Sequence, residues 1–231
     1  MKSLTKKIIL IIISIVIISM IIYLNTYYKA SKKAIDSLKS TTSVKIKQDR
    51  DGILFDGPGT DNIFVFYPGG KVEYKAYSPL MRELAKEGLD TYIVEMPFNI
   101  AFLGSNSISK IKENYNYKSW YIGGHSLGGV VAATDTNKTK VDGLILLASY
   151  STEKINCKTL SIYGTKDGVL NIENYNKNIN NYKNLKEIKI KGGNHANFGN
   201  YGFQKGDNKS TITKSNQQQI TIDEIIKFIN D

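Results

Sequence analysis

Between Gly124 and Gly128 the chain reads Gly-His-Ser-Leu-Gly, a serine enclosed by glycines. An apolar run ends before it and a run of small apolar residues follows, in "YIGGHSLGGVVAA", which predicts a strand, a tight turn and a helix. Such a turn can hold the Ser126 Oγ up as a nucleophile, while the helix start offers the Leu127 N–H to an oxyanion. The competing reading is a plain strand-to-helix connection that contains a serine. In a chain with 19 glycines the pattern alone does not decide. A nucleophilic serine needs a base, usually histidine, and the chain has 2 histidines. His125 adjoins Ser126, so its side chain should leave the turn in another direction. That leaves His195, in "GGNHANFG" after the last predicted strand. An imidazole base needs a carboxylate to fix its tautomer. Asp167 in "YGTKDG" directly follows a strand and gives the chain order Ser, Asp, His. Asp142 precedes its strand and should lie at the opposite edge, and Glu95 at another strand end remains an alternative. The second oxyanion donor should come from "FYPGGK". Pro68 has no N–H, which leaves Gly70 first and Lys71 second.

These residues need a scaffold that brings strand ends together. From Gly52 onward, "ILF", "NIFVFY", "TYIVEM", "SWYIGG", "GLILLAS", "KTLSIYG" and "LKEIKIKGG" read as strands. Between them, "YKAYSPLMRELAKEG", "SISKIKENY", "LGGVVAAT" and "IENYNKNIN" read as helices, and "QQQITIDEIIKFIND" as a terminal one with isoleucines on its apolar side. Most of the strands are apolar throughout rather than alternating, as expected where helices cover both faces of a parallel sheet. Residues 196–219 read as a long irregular segment. Connections of that length are usually functional or disordered, so Phe198, Tyr201 and Phe203 are expected to form a mobile apolar rim over the substrate, with a plain solvated loop as the competing reading.

Upstream, residues 8–24 read "IILIIISIVIISMIIYL" without a charge. As a helix this run spans roughly 26 Å, enough to cross a bilayer, with Tyr23, Tyr27 and Tyr28 at the interface. A cleaved signal sequence is the other reading, although "NTYYKASKK" offers no good small-x-small site. The expected division is an anchor over 1–28, a lysine-rich tether over 29–51 and a catalytic domain over 52–231. A short basic N-terminal tail and a flexible tether favour a single-pass signal-anchor in the cell membrane with the domain outside. The formal charge is +10, nearly all from lysine, with Arg50 and Arg82 the only arginines. Nucleic-acid readers favour arginine, so no nucleic-acid partner is expected, and the lysines suit an anionic membrane or wall. Cys157 is the only cysteine, which excludes an internal disulfide and a cysteine-rich metal site.

The chain resembles the α/β-hydrolases, most closely a compact branch carrying "YPGGKVE", "GGHSLGG" and "GGNHANFGNYG", over Asn62 to Asp231. The resemblance implies an α/β-hydrolase fold with a mostly parallel sheet, helices on both faces and a minimal cap. It also implies Ser126 as nucleophile, Asp167 as acid and His195 as base, and marks "FGNYGFQKGDN" as a family feature of unassigned role. Two departures stand out: little sequence precedes "IFVFYPGG", and no large cap follows Ala148. The expected activity is hydrolysis of an ester, thioester or related acyl compound, small or lipid-like, by a monomer without metal or organic cofactor. Acyl transfer on the same triad and a non-catalytic envelope or wall-binding protein are the rival readings.

Overall fold

The computed structural model describes residues 2–59 and 61–231. It begins with one long helix, α1 (Lys2–Asn25). Its segment Leu4–Asn25 has a mean hydropathy of 2.9 and none of it is buried, so α1 is long and apolar enough to cross a membrane.

The rest is built on one eight-stranded sheet. β1 (Lys45–Gln48) pairs antiparallel with β2 (Gly52–Asp56), and β2 pairs antiparallel with β4 (Asp90–Val94). From there β3 (Asn62–Tyr67), β5 (Ser119–His125), β6 (Gly143–Leu147), β7 (Ile155–Gly164) and β8 (Tyr182–Ile190) continue in parallel, giving the order β1-β2-β4-β3-β5-β6-β7-β8. Successive side chains of a strand point to opposite faces, and β3 shows why its run is continuously apolar. Phe64 and Phe66 enter one core with residues of α3 (Ser78–Lys86) and α7 (Lys214–Asn230). Ile63, Val65 and Tyr67 enter the other with residues of α4 (Ser107–Asn114) and α5 (Leu127–Asp135).

The expected tether over 29–51 is corrected by the structure. This segment contains α2 (Lys32–Asp36) and the edge strand β1, with Ala34 and Val44 fully buried. Just upstream, Tyr28 makes a strand-like bridge to Val72, and the Ser31 N–H donates to the Asn200 carbonyl at 2.7 Å. A few apolar residues among many lysines suffice to seat the segment on the domain. Little sequence precedes β3, and the opening strands it holds, β1 and β2, are short, at 4 and 5 residues.

The irregular segment 196–219 is also corrected. It starts with a short 3-10 turn (Ala196–Phe198), and α7 begins at Lys214, earlier than its isoleucines suggested. Phe198 is fully buried and Tyr201 is 7% exposed, both inside the α3/α7 core. They are not a mobile rim.

Candidate active site

Parallel strands bring their C-terminal ends to one edge, and the predicted residues gather there. Ser126 follows β5 and precedes α5, with φ +53° and ψ −126°. A non-glycine rarely adopts this conformation, and it is held here by its surroundings. The Ser126 N–H donates to the Leu147 carbonyl at 3.0 Å, and the Ser149 hydroxyl donates to the Ser126 carbonyl at 2.7 Å. The flanking glycines are steric requirements. A Cβ on Gly124 would stand 2.5 Å from the Tyr67 carbonyl oxygen, and one on Gly128 would stand 2.2 Å from it.

Asp167 and His195 meet across the ends of β7 and β8. Asp167 Oδ2 lies 2.9 Å from His195 Nδ1, with both side chains almost fully buried. The other oxygen, Oδ1, accepts the N–H groups of Val169 and Leu170, each at 2.8 Å. With Nδ1 committed to the carboxylate, His195 Nε2 is the free ring atom. It is buried and has no hydrogen-bond partner among the described residues. His195 and Ser126 line the same cleft of about 160 Å³, whose other walls include Leu127, Val130, Tyr150, Val169 and Leu170. Gly70 also reaches this point: a Cβ placed on it would stand 2.7 Å from Leu127 Cδ1. Neither the Leu127 nor the Gly70 N–H has a partner among the described residues. The Lys71 N–H, the alternative donor, is spent on the Asn99 carbonyl at 2.8 Å.

The aromatic residues assigned to the substrate are not brought to the cleft. Phe198 packs against the back of His125, with ring centroids 5.7 Å apart, and Tyr201 lies between Tyr28 and Tyr77. Phe203 is exposed beside Asn197 and Lys214 on a separate surface. Aromatic residues among glycines read as a flexible rim, but the glycines instead permit close packing: a Cβ on Gly199 would stand 2.5 Å from the Tyr201 ring. Of the alternatives to Asp167, Asp142 accepts the Trp120 N–H at the opposite edge of the sheet, and Glu95 lies beside Tyr74 and Phe98.

Three polar residues behind the site carry no sequence signal for their task. His125 does turn away from the elbow, into full burial. Its Nδ1 is 2.9 Å from the Tyr77 hydroxyl and its Nε2 is 3.1 Å from the His195 carbonyl. That carbonyl can only accept, so Nε2 carries the proton and Nδ1 accepts from Tyr77. The Tyr77 oxygen in turn accepts the Gly69 N–H at 3.1 Å. Burial, reinforced by neighbouring His195, holds the His125 pKa well below 6.5. Asp207 accepts from the N–H groups of Gly168, His195 and Ala196 at 3.1, 3.2 and 2.8 Å, tying the Asp167 loop to the His195 loop. It sits inside "FGNYGFQKGDN" and supplies one role for that stretch. Gln217 brackets Asn194 from α7, accepting its N–H and donating to its carbonyl. Among the described residues no group of three or more His, Cys, Asp or Glu is placed to hold a metal ion.

Residues 63–219 match the model of the alpha/beta hydrolase family. Among solved structures the chain is similar to Est1E from Butyrivibrio proteoclasticus, at 13% identity and a TM-score of 0.59, over 82% of this chain and 100% of that one. It is similar to carboxyl esterase 2 from the fungus Tuber melanosporum, at 12% identity and a TM-score of 0.60, over 86% and 88% of the two chains. A third is alpha/beta hydrolase domain-containing protein 10 from mouse, at 12% identity and a TM-score of 0.58, over 82% and 99%. At such identities these likenesses show a shared fold. No curated protein matches the sequence.

Proposed function

The chain belongs to the alpha/beta hydrolase family, and its matched segment holds Ser126, Asp167 and His195; from that premise we propose a membrane-anchored serine hydrolase acting on an ester, thioester or related acyl substrate. One observation carries the reading. The His195–Asp167 pair leaves Nε2 without a partner in the cleft that also holds the backbone-strained Ser126.

In the proposed reaction the Ser126 Oγ attacks the acyl carbonyl and its proton passes to His195 Nε2. Asp167 accepts the hydrogen bond from Nδ1–H and stabilises the imidazolium. The N–H groups of Leu127 and Gly70 hold the oxyanion. When the C–O or C–S bond breaks, the leaving alcohol or thiol takes the proton from Nε2, and the acyl group remains on Oγ. Water then attacks, again giving its proton to Nε2. Collapse returns that proton to Ser126 and releases the carboxylic acid. The chain's own residues move every proton in this cycle.

We assign α1 the role of a single-pass anchor in the cell membrane, with the folded domain on the outer side. A fluorophosphonate probe tests the chemistry. The wild-type chain should be labelled covalently and Ser126→Ala should not. Equal labelling of the two would overturn the assignment of Ser126.

A further inference from the structure

The end of α1 is fastened to the turn that carries one wall of the cleft. Lys71 Nζ lies 3.8 Å from the centroid of the Tyr23 ring and donates to the Thr26 hydroxyl at 3.1 Å. The Tyr28 N–H donates to the Lys71 carbonyl at 2.7 Å, and the Glu73 N–H returns to the Tyr28 carbonyl at 2.9 Å. Lys71 itself has φ +59°, so the chain accepts strain to make this junction. One residue earlier, Gly70 leaves room for Leu127, the neighbour of Ser126: a Cβ there would stand 2.7 Å from Leu127 Cδ1. The helix therefore leaves the domain at the C-terminal edge of the sheet, on the face where the cleft opens.

The same face carries apolar side chains that the fold leaves uncovered. Lys71 also binds the segment after β4 through the Asn99 carbonyl. On this segment and its continuation, Phe98, Phe102 and Leu103 are 64%, 61% and 55% exposed. Phe98 has φ +55°, a conformation that does not suit a bulky residue. The segment is not loose. Buried Asp135 accepts from the Ser105 hydroxyl and the Asn106 N–H, and pairs with Lys138. Lysines 29, 32 and 33 follow directly after α1 and are exposed, where anionic headgroups would meet them.

We propose that Phe98, Phe102 and Leu103 dock into the lipid bilayer that α1 enters, so that the cleft faces the leaflet and takes its acyl esters from it. Exposed aromatic and leucine side chains bordered by lysines are the chemistry of a face that rests at the headgroup–acyl boundary. The occupant is the bilayer because α1 brings it to this edge of the sheet. The proposal rests on the readings of Ser126 as nucleophile and α1 as membrane span, and the test separates the three.

The full chain is reconstituted into vesicles of phosphatidylcholine and phosphatidylglycerol. In a Cys157→Ser background, an environment-sensitive fluorophore is placed at Phe102→Cys, and a control at Lys140→Cys beyond α5. The label at position 102 should be quenched at least threefold more by lipid-borne quenchers than the label at 140. Turnover is compared on a water-soluble short-chain ester and on a diacylglycerol in the bilayer. The triple variant Phe98→Ser/Phe102→Ser/Leu103→Ser should keep soluble-ester turnover within about twofold and lose bilayer-ester turnover by at least tenfold. Equal quenching at the two positions, or equal loss on the two esters, overturns the docking surface. Burial of position 102 in vesicle-free protein, with a mass of two chains, would make the Phe98, Phe102 and Leu103 patch a dimer contact and also overturns it. Failure of the chain to float with vesicles overturns the anchor instead. Absence of soluble-ester turnover and of fluorophosphonate labelling in the wild type overturns the hydrolase reading.

Discussion

Ser126 stands between two walls of different character. Behind it, His125, Tyr77, Phe198 and Asp207 are buried, and the polar atoms of His125, Tyr77 and Asp207 bond to one another or to backbone groups of the Gly69, Gly168 and His195 loops. In front, Leu127 is 44% exposed, and Val130, Tyr150, Val169 and Leu170 are half-buried around an open cleft. The rear wall holds three separate chain segments at fixed distances. The front wall offers apolar surface with little hydrogen bonding to constrain it. Changes behind Ser126 should therefore alter the rate for every substrate alike, and changes in front should alter the ranking of substrates.

The largest effect lies at the junction of the two walls. Ser126→Ala should lower turnover by about 10⁴ to 10⁶ on all esters while leaving the oxyanion donors in place. Steady-state kinetics over an acyl series checks it. A loss confined to some chain lengths would mean that Ser126 belongs to the front wall and not to the chemistry. Next comes the rear clamp. Asp207→Ala strips acceptors from N–H groups of the Asp167 and His195 loops, at about 1–3 kcal/mol for each buried group left unpaired. Denaturation should show that cost, and kcat should fall at least tenfold with little change in KM. Asp207→Asn, which keeps one acceptor oxygen, should fall between. If KM rose while kcat held, Asp207 would be acting on substrate binding instead.

The front wall predicts a smaller and differently shaped effect. Leu170 lines the cleft, and its N–H is fixed to Asp167. Leu170→Ala widens the pocket while leaving that backbone bond. It should move the preferred acyl chain longer by one or two carbons, with relative kcat/KM shifting about 10-fold, the usual scale for a methylene or two in an apolar pocket. Uniform loss across the series would erase the distinction between the walls.

How far the sequence disclosed this division follows from the range of the interactions. β3, β4 and β6 were legible because strands buried on both faces must be apolar throughout, and the Ser126 turn because its glycines and serine fall within five consecutive residues, although the space those glycines leave is for the distant Tyr67 carbonyl. β1 escaped notice because "KIKQ" is an edge strand. Lysine is the residue that protects an edge, and it makes the strand resemble a solvated linker. The seating of residues 28–44 depends on Tyr28, Leu38 and Val44 joining a core built far along the chain, with Tyr28 against Tyr201. The roles of Asp207 and Tyr77 depend on loops 39 and 8 residues away closing onto them. No periodicity records such closures. Phe198 and Tyr201 read as an exposed rim for the same reason: their composition suggested exposure, and only the packing of Phe198 on His125 and of Tyr201 on Tyr77 shows them behind the site.

The smallest expected effect concerns the protonation of the rear wall. Folding keeps His125 neutral, because full burial and the adjacent His195 penalise its charged form. In the unfolded chain it accepts a proton near its ordinary value of 6.5. The folded pKa is the lower one, so the unfolded state binds the extra proton as pH falls. The stability this group contributes is thus fully present above about pH 6.5 and is lost progressively below it, with a limiting slope of about 1.4 kcal/mol per pH unit. His125→Gln cannot take up that proton, and its amide can still donate to the His195 carbonyl. Urea unfolding of the full chain in detergent, from pH 7.5 down to 5, should show the stability gap between wild type and variant closing as the solution acidifies. A gap independent of pH would mean that His125 is not held neutral, and the rear wall would lose the fixed tautomer on which its link to His195 depends.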